Sequence, residues 1–260
     1  MYPVLFRAYG FTLYTYGFFV ALGFLAGIYL IKIETIRLGM NPDKILDLCF
    51  YAVLAAILGA RIFYIATDIP YFLKNPLEII RIWNGGLVFY GGFISVLLVA
   101  IGYIRFHHMK LWQTLDIAAP SVALGHALGR LGCFFAGCCY GRECDLPWAV
   151  TFHDPECLAP LNSAIHPTQL YASTTNFLLF LFLFFLRKKK TFDGQLFCLY
   201  MVLYAVLRMV NEYFRGDYRG DVGISFFSPS QAIAFVMIAV FSGVWWYLRR
   251  QHMKKRAPHA

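Results

Sequence analysis

Seven stretches of this chain are long and apolar enough to cross the hydrocarbon core of a bilayer, which takes about 20 helical residues. They fall near 11–31, 45–67, 87–105, 114–138, 168–186, 194–215 and 230–248. No other feature restricts the fold so tightly, because backbone in lipid must satisfy its own hydrogen bonds and a helix does so within one segment. A composition of 60% hydrophobic and 14% charged residues, with mean hydropathy +0.60, agrees. The expectation is an all-α, polytopic membrane protein with seven transmembrane helices: a single integral membrane domain over 1–260, ending in a basic tail at 249–260. The start, MYPVLFRAYG, lacks a basic segment followed by a short apolar run and a small-residue cleavage site, so the first span is expected to act as its own insertion signal.

A net charge of +9 raises nucleic acid as a partner, but the distribution of the charge argues against it. Fourteen of the 23 Lys and Arg residues fall in one set of connections, at 32–44, 105–110, 187–190 and 249–256, and six fall in the opposite set. The positive-inside rule then puts the N-terminus outside and the C-terminus, with its tail, in the cytoplasm. Residues 68–86, with Pro70 and Pro76, read as a short outward interfacial element. Residues 139–167 read as a long outward loop, with Trp148 and Phe152 as interfacial anchors.

Three arginines lie within spans, away from their ends: Arg61, Arg130 and Arg208. Arginine near the centre of a membrane helix costs about 2.5–3.5 kcal/mol, so each marks a candidate functional site. In GHALGRLGCFFAGCCYG, His126 and Arg130 are four residues apart and share a helix face. His126 is the side chain best suited to accept a proton near neutral pH. In the sixth span, Arg208, Glu212 and Arg215 fall on one stripe; two guanidiniums flanking one carboxylate leave donors over for an oxyanion or a phosphate. Arg61 can cradle the same anion or bind a helix C-terminus. Tyr16 and Gly17 open the first span. Tyr90, between glycine pairs in NGGLVFYGGF, is a better proton donor than base, since a phenol titrates near 10.

Five of the seven cysteines, Cys133, Cys138, Cys139, Cys144 and Cys157, fall at or beyond the outer end of the fourth span. An oxidising compartment favours disulfides there, joining Cys138 or Cys139 to Cys144 or Cys157. Zinc ranks lower, because no CxxC pair or second ligand pair of normal spacing occurs.

Taken in order, GARIFYIATDIPYF, GGLVFYGGFI, GRLGCFFAGCCYG, HPTQLYAS and RMVNEYFRGD resemble the prolipoprotein diacylglyceryl transferase family over nearly the whole chain. The resemblance implies a multi-pass enzyme of the bacterial inner membrane. Such an enzyme moves the diacylglyceryl group of phosphatidylglycerol to the lipobox cysteine thiol of a prolipoprotein and releases glycerol phosphate. Arg130 matches the arginine of the family's G-R-x-G-N-F signature, Arg208 and Glu212 its R-x-x-x-E pair, and Tyr16 with Gly17 its Y-G. Cys133 stands where the signature commonly has asparagine, Tyr90 where many members have histidine, and Ala172 where glutamate often follows HPxQLY.

The mechanism expected is displacement at the glycerol carbon by the acceptor thiolate. Arg130 and Arg208 hold the phosphodiester, and Arg61, Tyr16, Gly17, Cys133, Glu212 and Arg215 complete the substrate site. His126 and Tyr90 handle the proton. Partners are phosphatidylglycerol, prolipoprotein signal peptides and membrane lipids, without nucleic acid, and no metal or organic cofactor is required. The rival readings are a non-catalytic lipid-binding relative and an anion transporter; no inverted repeat of the kind many carriers show supports the latter.

Overall fold

The computed structural model describes residues 2–8, 11–81, 85–217 and 229–256. Among them are seven helices of at least 18 residues: α1 (Thr15–Arg37), α2 (Pro42–Thr67), α4 (Phe89–Phe106), α5 (Leu111–Ala136), α6 (Thr168–Leu186), α7 (Gln195–Glu212) and α8 (Pro229–Arg256). A short helix α3 (Ile69–Lys74) and a 3₁₀ turn (Pro76–Ile79) occupy the connection after α2. By length and composition, α1, α2, α4, α6 and the Ser230–Lys254 stretch of α8 are apolar enough to cross a membrane. The two other long helices, α5 and α7, fall outside that set; they carry Asp116, His126 and Arg130, and Arg208 and Glu212, respectively.

Among the described residues, two small antiparallel ribbons depart from an all-helical chain. Strands β1 (Val4–Ala8) and β2 (Phe11–Tyr14) pair at the N-terminus, so the first long helix starts at Thr15 rather than near residue 11. The Thr15 amide and hydroxyl donate to Pro3 O at 2.9 Å and Tyr2 O at 2.6 Å, which ties the helix start to the ribbon. Strands β3 (Val150–Thr151) and β4 (Ala164–Ile165) pair within the long loop. At the other end, α8 continues as helix through the first eight residues of the basic tail.

The chain divides into two compact units, Met1–Leu30 with Leu115–Ala260, and Ile31–Thr114. In the smaller unit, Asn41 starts α2 by accepting from the amides of Asp43 and Lys44, with Pro42 pre-set for the first turn. α2 meets α4 through glycines. A Cβ on Gly59 would stand 2.7 Å from Gly91 O, and one on Gly91 would stand 2.6 Å from Gly59 O, so only hydrogen fits at this crossing. The glycines around Tyr90 therefore seat the helix, while Tyr90 itself is exposed on the first turn of α4.

In the larger unit, α5, α6 and α7 bury Ala119, Ala123, Leu179, Phe180, Leu183, Leu196 and Tyr200 against one another. Asp116 on α5 fixes the start of α7: its carboxylate accepts from the amides of Gly194 at 2.8 Å and Phe197 at 3.0 Å and pairs with Lys190 at 3.1 Å. A carboxylate at a helix N-terminus offsets both the orphan amides and the dipole. The 139–167 loop is folded, with Phe152, Cys157, Ala159 and Ile165 buried together. Phe152 is fully buried there and is not an interfacial anchor, whereas Trp148 is exposed and donates to the Tyr171 hydroxyl at 2.7 Å.

Candidate active site

A narrow cleft in the larger unit, about 10 Å³ and so wide enough for about one water, is lined by Arg130 of α5, Asn176 of α6, and Tyr204, Arg208 and Asn211 of α7. Arg130 and Arg208, which the sequence places in different spans, thus face one space. Arg130 is half-buried and makes no hydrogen bond or ion pair among the described residues. Two acceptors join it: the amide oxygens of Asn176 and Asn211 are buried and have no partner among the described residues. An unsatisfied buried acceptor costs about 1–3 kcal/mol, so two of them beside an arginine with no carboxylate partner among the described residues suit a ligand bearing both an anion and hydroxyl donors. The sequence offered little sign of Asn176, an ordinary polar residue in an apolar helix.

Arg208 pairs with Glu212, with Nη1 2.9 Å from Oε2. The approach is off-line, so charge rather than an aligned hydrogen bond holds the pair. Its Nη2 donates to Ser230 Oγ at 3.1 Å. The expected stripe of Arg208, Glu212 and Arg215 does not form, because α7 ends at Glu212 and the chain turns away. Arg215 instead makes a bidentate pair with Asp217, at 2.8 and 2.6 Å. Its strand-like pairing with Gly141 carries it to the end of α5, where it lies against Cys139.

Around that end of α5 gather Tyr16, Arg130 and three cysteines. The sulfurs of Cys133, Cys138 and Cys139 lie within 4.8 Å of one another. Gly137, at φ +74°, ends the helix in the left-handed region, and Cys139 adopts it again at φ +60°. For a non-glycine residue that conformation costs about 1–3 kcal/mol, strain that persists only where the surroundings hold it. Here Gln169 donates to Cys138 O at 2.9 Å and Thr168 to Cys139 O at 2.8 Å. Two residues of HPTQLYAS thus clamp the cysteine turn, which the sequence did not disclose. Hydrogen bonds from Cys133 and Cys138, backed by Arg215, hold the Cys139 thiol well below its ordinary range against the opposing effect of burial.

The expected disulfide is not formed. All seven cysteines are thiols, and the sulfur neighbours of Cys138 and Cys139 are each other and Cys133, not Cys144 or Cys157. Cys157 is held in the loop core, with its thiol directed at Phe135 O at 3.9 Å.

One other expectation changes. Arg61 is spent on backbone. It donates to Ile79 O at 3.1 Å, Gly85 O at 2.8 Å, Gly86 O at 3.2 Å and Arg81 O at 3.3 Å, and also to Glu78 O. It therefore closes the carbonyl end of the 3₁₀ turn and leaves the substrate-binding set. His126 shares a 2.9 Å hydrogen bond through Nδ1 with the Tyr200 hydroxyl and packs on Tyr204 at 5.1 Å. Tyr90 is exposed at the start of α4 in the smaller unit. Tyr16 stays at the site, and a Cβ on Gly17 beside it would touch nothing within 4 Å.

A family model described as prolipoprotein diacylglyceryl transferase matches residues 3–247. The phosphatidylglycerol–prolipoprotein diacylglyceryl transferase of Clostridium tetani is 39% identical over 240 residues, covering 92% of this chain and 95% of the relative. Proteins of the same name from Finegoldia magna and Synechocystis are 36% identical over 226 residues, covering 85% and 88% of the two chains, and 33% identical over 263 residues, covering 96% and 91%. With a cleft built on Arg130 and Arg208 and a match along nearly its full length, the chain belongs to the prolipoprotein diacylglyceryl transferase family.

Proposed function

We propose that this protein transfers the diacylglyceryl group of phosphatidylglycerol to the lipobox cysteine thiol of prolipoproteins, forming a thioether and releasing glycerol phosphate. The observation that carries the reading is the pairing, in one cleft, of an arginine lacking a carboxylate partner among the described residues, Arg130, with the unsatisfied oxygens of Asn176 and Asn211. Arg130 and Arg208 hold the phosphodiester and stabilise the charge that grows on the departing phosphate, a task for which fixed donors in a low-dielectric site are well suited. The two asparagine oxygens accept from the headgroup hydroxyls. Glu212 keeps Arg208 oriented, and Tyr16 and Arg215 border the end of the cleft where the cysteines lie. The acceptor thiol must react as thiolate. The Nδ1 of His126 is engaged by Tyr200, which leaves Nε2 as the ring nitrogen able to take a proton, and a phenol such as Tyr90 is a weak base.

The topology we propose is seven spans in one integral membrane domain of the bacterial inner membrane. The N-terminus and 139–167 lie outside, and the tail 249–260 lies in the cytoplasm. Fusion reporters after Lys190 and at the C-terminus are expected to read cytoplasmic, and one within 139–167 outside; a cytoplasmic loop overturns the orientation. The activity is tested with purified protein, phosphatidylglycerol and a lipobox peptide, by the mass gain of the peptide. Transfer that disappears when the peptide cysteine is replaced by serine supports the reading. Binding of phosphatidylglycerol without transfer favours the lipid-binding relative, and flux of an anionic solute without transfer favours the transporter.

A further inference from the structure

The three-sulfur cluster at the end of α5 is unexplained by lipid binding. An odd number of thiols converges on one point: a disulfide would use two and strand the third. The convergence is built into the chain. The left-handed residues Gly137 and Cys139 fold the loop back over the last turn of α5, and buried Thr168 and Gln169 hold the carbonyls of Cys139 and Cys138. Cys133 sits on α5 one turn beyond Arg130. In a tetrahedral site with Zn–S of about 2.3 Å, ligand sulfurs stand about 3.8 Å apart. The cluster, already within 4.8 Å, needs to close by no more than about an ångström.

We propose that Cys133, Cys138 and Cys139 bind a zinc ion whose fourth position takes the acceptor thiol, so that zinc rather than a histidine base makes the thiolate. The proposal rests on the transferase reading for the identity of that thiol. Three protein ligands with one open position are the arrangement of catalytic zinc, and a coordinating thiol is deprotonated outright. Three thiolates and Zn²⁺ carry a net charge of −1, and the bound acceptor makes it −2. Arg130 and Arg215, both beside the sulfurs, offset that charge. Arg130 is also the phosphate ligand, so nucleophile and leaving group meet one turn apart on α5.

In the step itself, the acceptor thiol displaces a zinc-bound water and its proton leaves to bulk water. A sulfur electron pair then attacks the glycerol carbon that bears the phosphate. The S–C bond forms as the C–O bond breaks, and glycerol phosphate departs with the electron pair as a dianion against Arg130. The neutral thioether is a weak zinc ligand and is released as water returns. Nothing is oxidised or reduced.

The test uses the full chain in nanodiscs containing phosphatidylglycerol, purified under reductant. About one zinc per chain is expected. Cobalt in its place should give a sulfur-to-metal charge-transfer band that strengthens with a lipobox peptide but not with its serine counterpart. Chelation should lower transfer by about 10²-fold or more, and added zinc should restore it, a measurement that needs no variant. Cys138→Ser and Cys139→Ser should each lose the metal, whereas Cys144→Ser keeps it. Full transfer by metal-stripped protein, or a Cys133–Cys138 disulfide in active protein, overturns the zinc proposal and leaves the transferase reading standing. A peptide-dependent cobalt band without transfer by zinc-loaded protein overturns the transferase reading and leaves the metal site standing.

Discussion

The Tyr200 hydroxyl and His126 Nδ1 stand 2.9 Å apart, which joins α7 to α5 beside Tyr204 on the wall of the cleft. If zinc makes the thiolate, that imidazole positions the wall rather than takes the proton. His126→Ala and Tyr200→Phe are each expected to lower kcat/KM for transfer by less than about tenfold, well below the 10²- to 10⁴-fold typical of a lost general base. A loss within that larger range for His126→Ala would restore the imidazole as base and count against zinc as the activator of the thiol.

Arg130→Lys and Arg208→Lys keep a charge but lose the planar fork that meets two phosphate oxygens at once. Each should lower kcat/KM by about 10²-fold, the cost typical of removing a fixed donor to developing charge. Near-normal turnover in both would reduce the two arginines to structural roles.

Asn176→Leu and Asn211→Leu separate binding from stability. Removing a buried acceptor that has no partner among the described residues should leave the thermal midpoint unchanged or raised, because an unpaired polar atom is replaced by an apolar group. KM for phosphatidylglycerol should rise by about 2- to 12-fold, the equivalent of one hydrogen bond of about 0.5–1.5 kcal/mol. An unchanged KM in both variants would remove the amide oxygens from the headgroup site.

Asp116→Ala uncaps two amides of α7 and leaves Lys190 without its buried partner. Lys190 keeps its 3.0 Å pair with Asp193, so the loss is set mainly by the orphaned amides, at about 1–3 kcal/mol each. The thermal midpoint in detergent should fall accordingly, while KM for lipid in the surviving fraction stays unchanged. Burial lowers the Lys190 pKa, but Asp116 and Asp193 outweigh burial and hold it above its ordinary 10.5. A raised lysine contributes stability in full below the unfolded value and loses it as pH climbs through the folded one. The midpoint difference between wild type and Asp116→Ala should therefore stay level up to about pH 10 and shrink only above it. A difference that narrows between pH 7 and 9 would contradict the assignment.

Arg61→Leu leaves five backbone carbonyls of 78–86 without their donor. The expected result is faster proteolysis in 76–88 with KM for phosphatidylglycerol within about twofold of wild type, since surrounding contacts rather than the lipid are lost. A KM rise comparable to that of Arg208→Lys would return Arg61 to the lipid site.

The positions of the seven long helices were legible in the sequence because an apolar run of about 20 residues has few alternatives to a helix. The match is closest at α6, where window and helix coincide at 168–186. Arg130 and Arg208 were legible for the same reason, since a cation within an apolar run stands out against its surroundings. What the sequence could not supply was direction. Arg215 continues the helical spacing of Arg208 and Glu212, yet the helix stops first and gives it to Asp217. Arg61 has the look of a second phosphate ligand until the carbonyls of Glu78, Ile79, Arg81, Gly85 and Gly86 fold around it. The cysteines lacked a zinc-binding spacing because two left-handed residues, clamped by side chains about 30 positions later, bring their sulfurs together. Apolar periodicity acts along the chain and can be read there, whereas the partner of a polar group depends on where the helices end and how the loops between them turn, which only the tertiary structure decided.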